Sequence, residues 1–145
     1  MTSVHFYHNA EDPVSLVCEL LGNAHRSGRK AVIISPDMAL AQRLDRQLWT
    51  ADPGDFIPHV MNDSPLAAET PIVIGLAGET QWPHADLLFN LAAELPAACE
   101  RFRTLIEIVG RSEAERAPAR ARWVHYKQQQ FPLKAFDAER RMALL

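Results

Sequence analysis

The sequence predicts a single-domain α/β fold, an open and mostly parallel sheet with helices on both faces. Three observations predict it. Strand-like and helix-like patterns alternate from Val4 to Trp49, the order that builds βαβ units. The run "AVIIS" at 31–35 is apolar without alternation, as expected of a strand buried on both faces of a parallel sheet. The chain has 145 residues, 48% hydrophobic and 23% charged, which suits one globular domain with a sizeable core.

Each element follows in order. "VHFYH" at 4–8 has the β-branched and aromatic character of a strand. Asp12 and Pro13 then offer an N-cap and a first helical residue. Val14, Val17, Cys18 and Leu21 recur at i, i+3, i+4 and i+7, one apolar helix face, and Gly28 suits the C-cap. After "RKAVIISP", Asp37 caps a second helix running to about Trp49, and right-handed crossovers are expected. Residues 50–70 are rich in Pro, Gly and Asp and read as a connector. "TPIVIGLAG" holds a short strand around Ile72 to Ile74, and "ADLLFNLA" is another apolar run. A short, proline-interrupted helical stretch is expected near "PAACERF". In "TLIEIVG", Thr104, Ile106 and Ile108 alternate with Leu105 and Glu107, a further strand. Ser112 to about Gln130 reads as the last long helix, opened by the capping-box pattern "SEAE". Pro118 lies a turn inside it, as a kink or as the true start.

Composition narrows the function. No apolar run approaches the ~18 residues of a membrane span, and "MTSVHFYHNAEDP" lacks the regions of a secretory signal. Cys18 and Cys99 stand far apart in apolar surroundings, which suits buried thiols in a reducing compartment. A cytoplasmic location is the expectation. The net charge is −3, unevenly spread: residues 101–134 hold eight Lys/Arg against three acids, leaving seven against fifteen elsewhere. A local basic patch on an acidic body fits a local anionic partner better than a long duplex, although scattered arginines on a solvated helix would give the same count.

Catalytic chemistry is hard to find. After the first strand, "HNAEDP" has no glycine and two acids where a phosphate would need close backbone approach, and "GLAGET" lacks a Lys-Ser/Thr pair. ATP or NAD binding is not expected. His5 and His8 point to opposite faces of their strand, His25, His59, His84 and His125 are isolated, and no metal-ligand spacing occurs. There is no nucleophile elbow. Asp52 and Asp55 flank a Pro-Gly turn and read as local caps. No cofactor, metal or catalytic group is expected.

Two surfaces look like binding sites instead. Leu40, Ala41, Leu44 and Leu48 stripe the second helix, and Trp49 falls about 135° from that stripe at 100° per residue. Pro53-Gly54 then turns the chain and returns Phe56 and Pro58 to the same end. Such a group is either an exposed anchor for a partner or a satellite core, and spacing leaves both open. On the last helix, Arg116, Arg120, Trp123 and Lys127 follow at i, i+4, i+7 and i+11, with Tyr126 beside them. Arginines next to an aromatic suit a peptide with acidic residues and a terminal hydrophobe, and they also suit single-stranded nucleic acid.

The stretches "FYH", "LVCEL", "RSGRKAVI", "RLDRQLWT…DFIPH", "PIVIG" and "RARWVHYK" cover most of the chain. In them it resembles the chi subunit family of the bacterial DNA polymerase III holoenzyme, and "RLDxxLW" followed by "FxPH" is the most specific part. The resemblance implies a Rossmann-like fold without nucleotide chemistry, in a non-catalytic accessory subunit of the clamp-loader complex. It implies a heterodimer with the psi subunit, at Trp49, Phe56 and Pro58. It also implies binding of the acidic C-terminal tail of single-stranded-DNA-binding protein, at Val109, Arg116, Arg120 and Trp123, with Lys127 on the same stripe. The clamp loader would be reached through psi, and DNA only indirectly. Trp123 stands where the family often has tyrosine, Pro118 departs from the family's helix, and the connector after His59 diverges. A small nucleotide-dependent enzyme on this fold and a direct single-stranded-DNA binder are the alternatives from other classes.

Overall fold

The computed structural model describes residues 2–50, 57–139 and 142–143. Phe56 and the turn from Asp52 to Asp55 lie outside the described residues. The chain runs β1 (Ser3–Ala10), α1 (Pro13–Arg26), β2 (Ala31–Ser35), α2 (Met38–Thr50), β3 (His59–Met61), β4 (Ile72–Leu76), β5 (Leu87–Asn90), β6 (Thr104–Gly110), α3 (Glu113–Gln128), β7 (Leu133–Asp137) and β8 (Met142–Ala143). The sheet order is β3-β4-β2-β5-β6-β1-β7-β8. Neighbours pair in parallel as far as β7, and β8 adds an antiparallel edge.

Faces and direction are linked. The connections from β1 and β2, through α1 and α2, step toward the β3 edge and cover one face, where Val17, Leu21, Leu44 and Leu48 pack on Ile33, Ile74 and Phe89. The other connections step toward the β7 edge and cover the opposite face. There Ala119 and Tyr126 of α3, with Ala67 and Phe102 from connectors, pack on Val4, Phe6, Val73 and Leu105. Opposite steps over opposite faces give every crossover the same hand, as the right-handed rule requires. β2 is buried along its whole length.

Local signals act where expected, with some changes of partner. Asp37 Oδ1 accepts from Leu40 N at 2.8 Å, capping α2. Gly28 takes φ 73° just beyond α1, in the left-handed region that a Cβ disfavours. Asp12 occupies the N-cap position of α1 but makes no side-chain cap bond. Its carboxylate takes the Ser15 hydroxyl at 2.8 Å and Arg43 Nη2 at 2.9 and 3.0 Å, tying α1 to α2. Ser112 Oγ accepts from Glu115 N, and the Ser112 hydroxyl donates to Glu115 Oε2 at 3.0 Å. That carboxylate folds over Gly110, where a Cβ would stand 2.0 Å from it.

Five expectations change. The 50–70 connector contains β3 and a 3-10 turn at Ala67–Glu69. "PAACERF" forms only a 3-10 turn at Cys99–Arg101, because Ala98 before it sits at φ 60° and breaks regular helix. β7 and β8 follow the last helix. Cys18 is buried, but Cys99 is only half-buried. Pro118 neither starts nor ends α3, which is continuous from Glu113.

Candidate functional site

Trp49 leaves the core. Ala41, Leu44 and Leu48 are buried while Trp49 is 58% exposed, so the satellite-core alternative does not hold for it. One turn earlier on the same helix, Asp45 Oδ1 lies 2.8 Å from His59 Nε2, and His59 Nδ1 lies 2.7 Å from the Ile57 carbonyl. The Trp49 ring leans edge-on against this fixed imidazole, centroids 5.5 Å apart. Pro58 is half-buried between Ile57 and His59. The surface is therefore an exposed indole on a braced histidine, at the β3 edge of the sheet. Asp45 and His59 are the residues missed by sequence reading; the signal for them is the i, i+4 spacing of Asp45 and Trp49 and the "PH" pair after the turn.

The second surface is a groove of about 290 Å³ between α3 and the sheet. It brings together Val109 from β6 and Arg116, Arg120 and Trp123 from α3, four of the five residues expected at the tail site. Phe6 and His8 from β1, Ala119 from α3 and Ala135 from β7 complete the lining. The last of these could not be found without β7; His8 could, since it shares the strand parity of Val4 and Phe6. Trp123 packs edge-on against Phe6, centroids 5.1 Å apart. Arg116 and Arg120 are exposed at the rim, and Arg120 is ion-paired with the exposed Glu113. Lys127 is exposed a turn beyond Trp123 and does not line the groove.

Tyr126 and Arg122 turn inward rather than joining the surface. Both are buried, and both meet Glu107, which has no exposure. The Tyr126 hydroxyl donates to Glu107 Oε2 at 2.6 Å, and Asn90 Nδ2 donates to Oε1 at 2.9 Å. Arg122 Nε stands 3.1 Å from Oε2 as an ion pair without a well-aimed hydrogen bond, and Arg122 Nη1 donates to the Ala93 carbonyl at 2.7 Å. Burial pushes the Glu107 carboxyl up, against the pull of Arg122 and its hydrogen-bond donors. Burial and the Glu107 charge push the Tyr126 hydroxyl up, so it remains a donor. This network ties β5 and β6 to α3, the helix that also carries Arg116, Arg120 and Trp123.

A third cavity, of about 360 Å³, opens beyond the C-terminal ends of β1 and β7. There the adjacent strands β1 and β6 send the chain to opposite faces, the position at which nucleotides bind to such sheets. Here Glu11, Asp12, Glu19 and Glu139 face a single Arg111, itself 3.3 Å from Glu139. That lining repels phosphate. Among the described residues, no group of three or more His, Cys, Asp or Glu could hold a metal ion, and no helix is long and apolar enough to cross a membrane.

Comparison with known proteins gives one answer. A family model described as "DNA polymerase III chi subunit, HolC" matches residues 1–134. The chain is 35% identical over 138 residues to the DNA polymerase III subunit chi of Pseudomonas aeruginosa, covering 92% of this chain and 95% of that one. The same-named protein of Haemophilus influenzae is 33% identical over 108 residues, 74% and 75% of the two chains. That of Escherichia coli is 26% identical over 112 residues, 77% and 76%. The parallel sheet, the motif residues gathered at Trp49 and the match along nearly the whole sequence agree, and the chain belongs to the DNA polymerase III chi subunit family.

Proposed function

We propose that the chain is a non-catalytic bridging subunit of the replicase, a cytoplasmic accessory protein of the clamp-loader complex. In this role the psi subunit docks on the surface of Trp49, Phe56 and Pro58 and links the chain to the clamp loader. The acidic C-terminal tail of single-stranded-DNA-binding protein docks in the α3 groove, on Val109, Arg116, Arg120 and Trp123, with Lys127 farther along the helix. DNA is reached only through its coating protein.

The observation that carries the tail assignment is the make-up of the groove. Phe6, Val109, Ala119, Trp123 and Ala135 offer apolar contact for a terminal hydrophobe, and two guanidinium groups stand at its rim. Arg116 makes no ion pair among the described residues, and the exposed Glu113–Arg120 pair is of the weak kind that a ligand carboxylate displaces. For the psi assignment, support comes from the exposed indole, since aromatic anchors dominate interfaces.

Paired substitutions separate the two sites. Arg120→Ala is expected to weaken an acidic peptide with a C-terminal hydrophobe by about tenfold, the worth of a charge-assisted hydrogen bond, and to leave psi binding intact. Trp49→Ala is expected to do the reverse. Both are read by calorimetry, and an unchanged peptide affinity in Arg120→Ala would overturn the groove assignment. A bare oligonucleotide that shifts the protein on a gel would favour direct DNA binding instead.

A further inference from the structure

His8 of β1 lines the α3 groove. It follows Phe6 by two residues on β1, so its side chain faces α3, and it shares the groove lining with Arg116, Arg120 and Trp123. A β-bulge encloses it: the β1–β6 register shifts between Tyr7 and Ala10, and Asn9 takes a φ of 63°. Asn9 is held in that conformation from several sides. Arg111 Nε donates to its Oδ1 at 3.1 Å, and its amide donates to Glu139 Oε2 at 3.1 Å and Asp137 Oδ1 at 3.4 Å. The His8 carbonyl accepts from Ala138 N at 2.8 Å. Bulges re-aim side chains next to binding sites, and this one fixes the backbone that carries the imidazole.

Among the described residues, charged groups stand beside His8 on α3 and β7. From α3 come Arg116 and Arg120, with Glu113 paired to the latter; from β7 comes Asp137, the register partner of His8. β6 presents the apolar Val109. Asp137 Oδ1 accepts from Asn9 Nδ2 and from Glu139 N. A carboxylate that enters the groove beside an imidazole favours its charged form, which then donates a charge-assisted hydrogen bond.

We propose that His8 is a third recognition group of the groove: it pairs with a carboxylate of a bound acidic peptide and makes that binding tighter as pH falls from 8 to 6. This rests on the α3 groove being the acidic-peptide site. The probe is a synthetic peptide of aspartates ending in phenylalanine with a free carboxylate, titrated calorimetrically at pH 6, 7 and 8 and constant ionic strength. The peptide's own carboxylates stay ionised throughout that window. Affinity of the unaltered protein should rise on the order of fivefold from pH 8 to pH 6, the scale of one imidazole titration linked to binding. His8→Leu should bind at pH 8 and show a flat profile, and His8→Lys should be flat at the tighter level. A flat profile in the unaltered protein, or a rise that persists in His8→Leu, overturns the His8 assignment while leaving the groove in place. Absence of peptide binding at every pH overturns the groove reading itself, and His8 with it.

Discussion

Glu107 joins the sheet to α3. It is a carboxyl without solvent contact, and its partners come from three places: Asn90 on β5, and Arg122 and Tyr126 a turn apart on α3. A buried ion pair of this kind adds little against a well-packed apolar alternative, but breaking one half strands the other. Glu107→Gln is therefore expected to cost about 3 kcal/mol, because it leaves the buried Arg122 guanidinium uncompensated. Arg122→Met added to it should recover more than half of that loss. Urea unfolding of the single and double variants measures both. A single-variant cost under about 1 kcal/mol would mean that the apolar contacts, rather than the pair, fix α3. None of this was legible in the sequence, where Glu107 is one polar residue within an alternating strand; only the fold brings residues 90, 107, 122 and 126 together.

At the scale of elements, legibility followed the length and purity of the pattern. α1, α2, β2 and β6 carry long periodic or continuous apolar signals, and each forms about where its residues imply. β3 has three residues and follows directly on Pro58, while β7 is a half-exposed strand directly behind Pro132, so neither rises above its surroundings. The stripe on α3 was legible as spacing, but spacing does not say which cations face inward. Arg122 and Tyr126 proved to be core, and Lys127 lies outside the groove. Pro118 is the element-scale test. The first helical bond of α3 runs from Arg116 N to Ser112 O at 3.0 Å, so the missing N–H at Pro118 leaves the Ala114 carbonyl without its helical donor. Ala114 is exposed, so water can serve it, and the cost is below the ~3 kcal/mol of a buried helix interior. Pro118→Ala is expected to stabilise the protein by about 1–2 kcal/mol, read by thermal or urea unfolding. Its peptide affinity should stay unchanged if the proline does not bend the groove.

For the whole molecule, what matters is that the two surfaces are held apart by the sheet. Trp49 and His59 lie at the β3 edge on the α2 side, and the groove lies over β6, β1 and β7 on the α3 side. Five strand spacings separate β3 from β1, about 24 Å at 4.8 Å each. Between them run β4, β2, β5 and β6, packed on both faces by cores that share no side chain. Coupling between sites that far apart needs an element with two positions that both sites bias. On the proposed bridging role, a subunit built this way is expected to bind its two partners independently. The tail-peptide affinity measured on the free chain and on its complex with psi is thus expected to agree within about twofold, the limit for sites that share no contacts. Independence is what a tether requires, since each contact can then remain modest and the linkage supplies effective concentration. A change of tenfold or more in peptide affinity on psi binding would mean that the sheet carries a conformational change from its β3 edge to α3, and the rigid-bridge account would have to be abandoned.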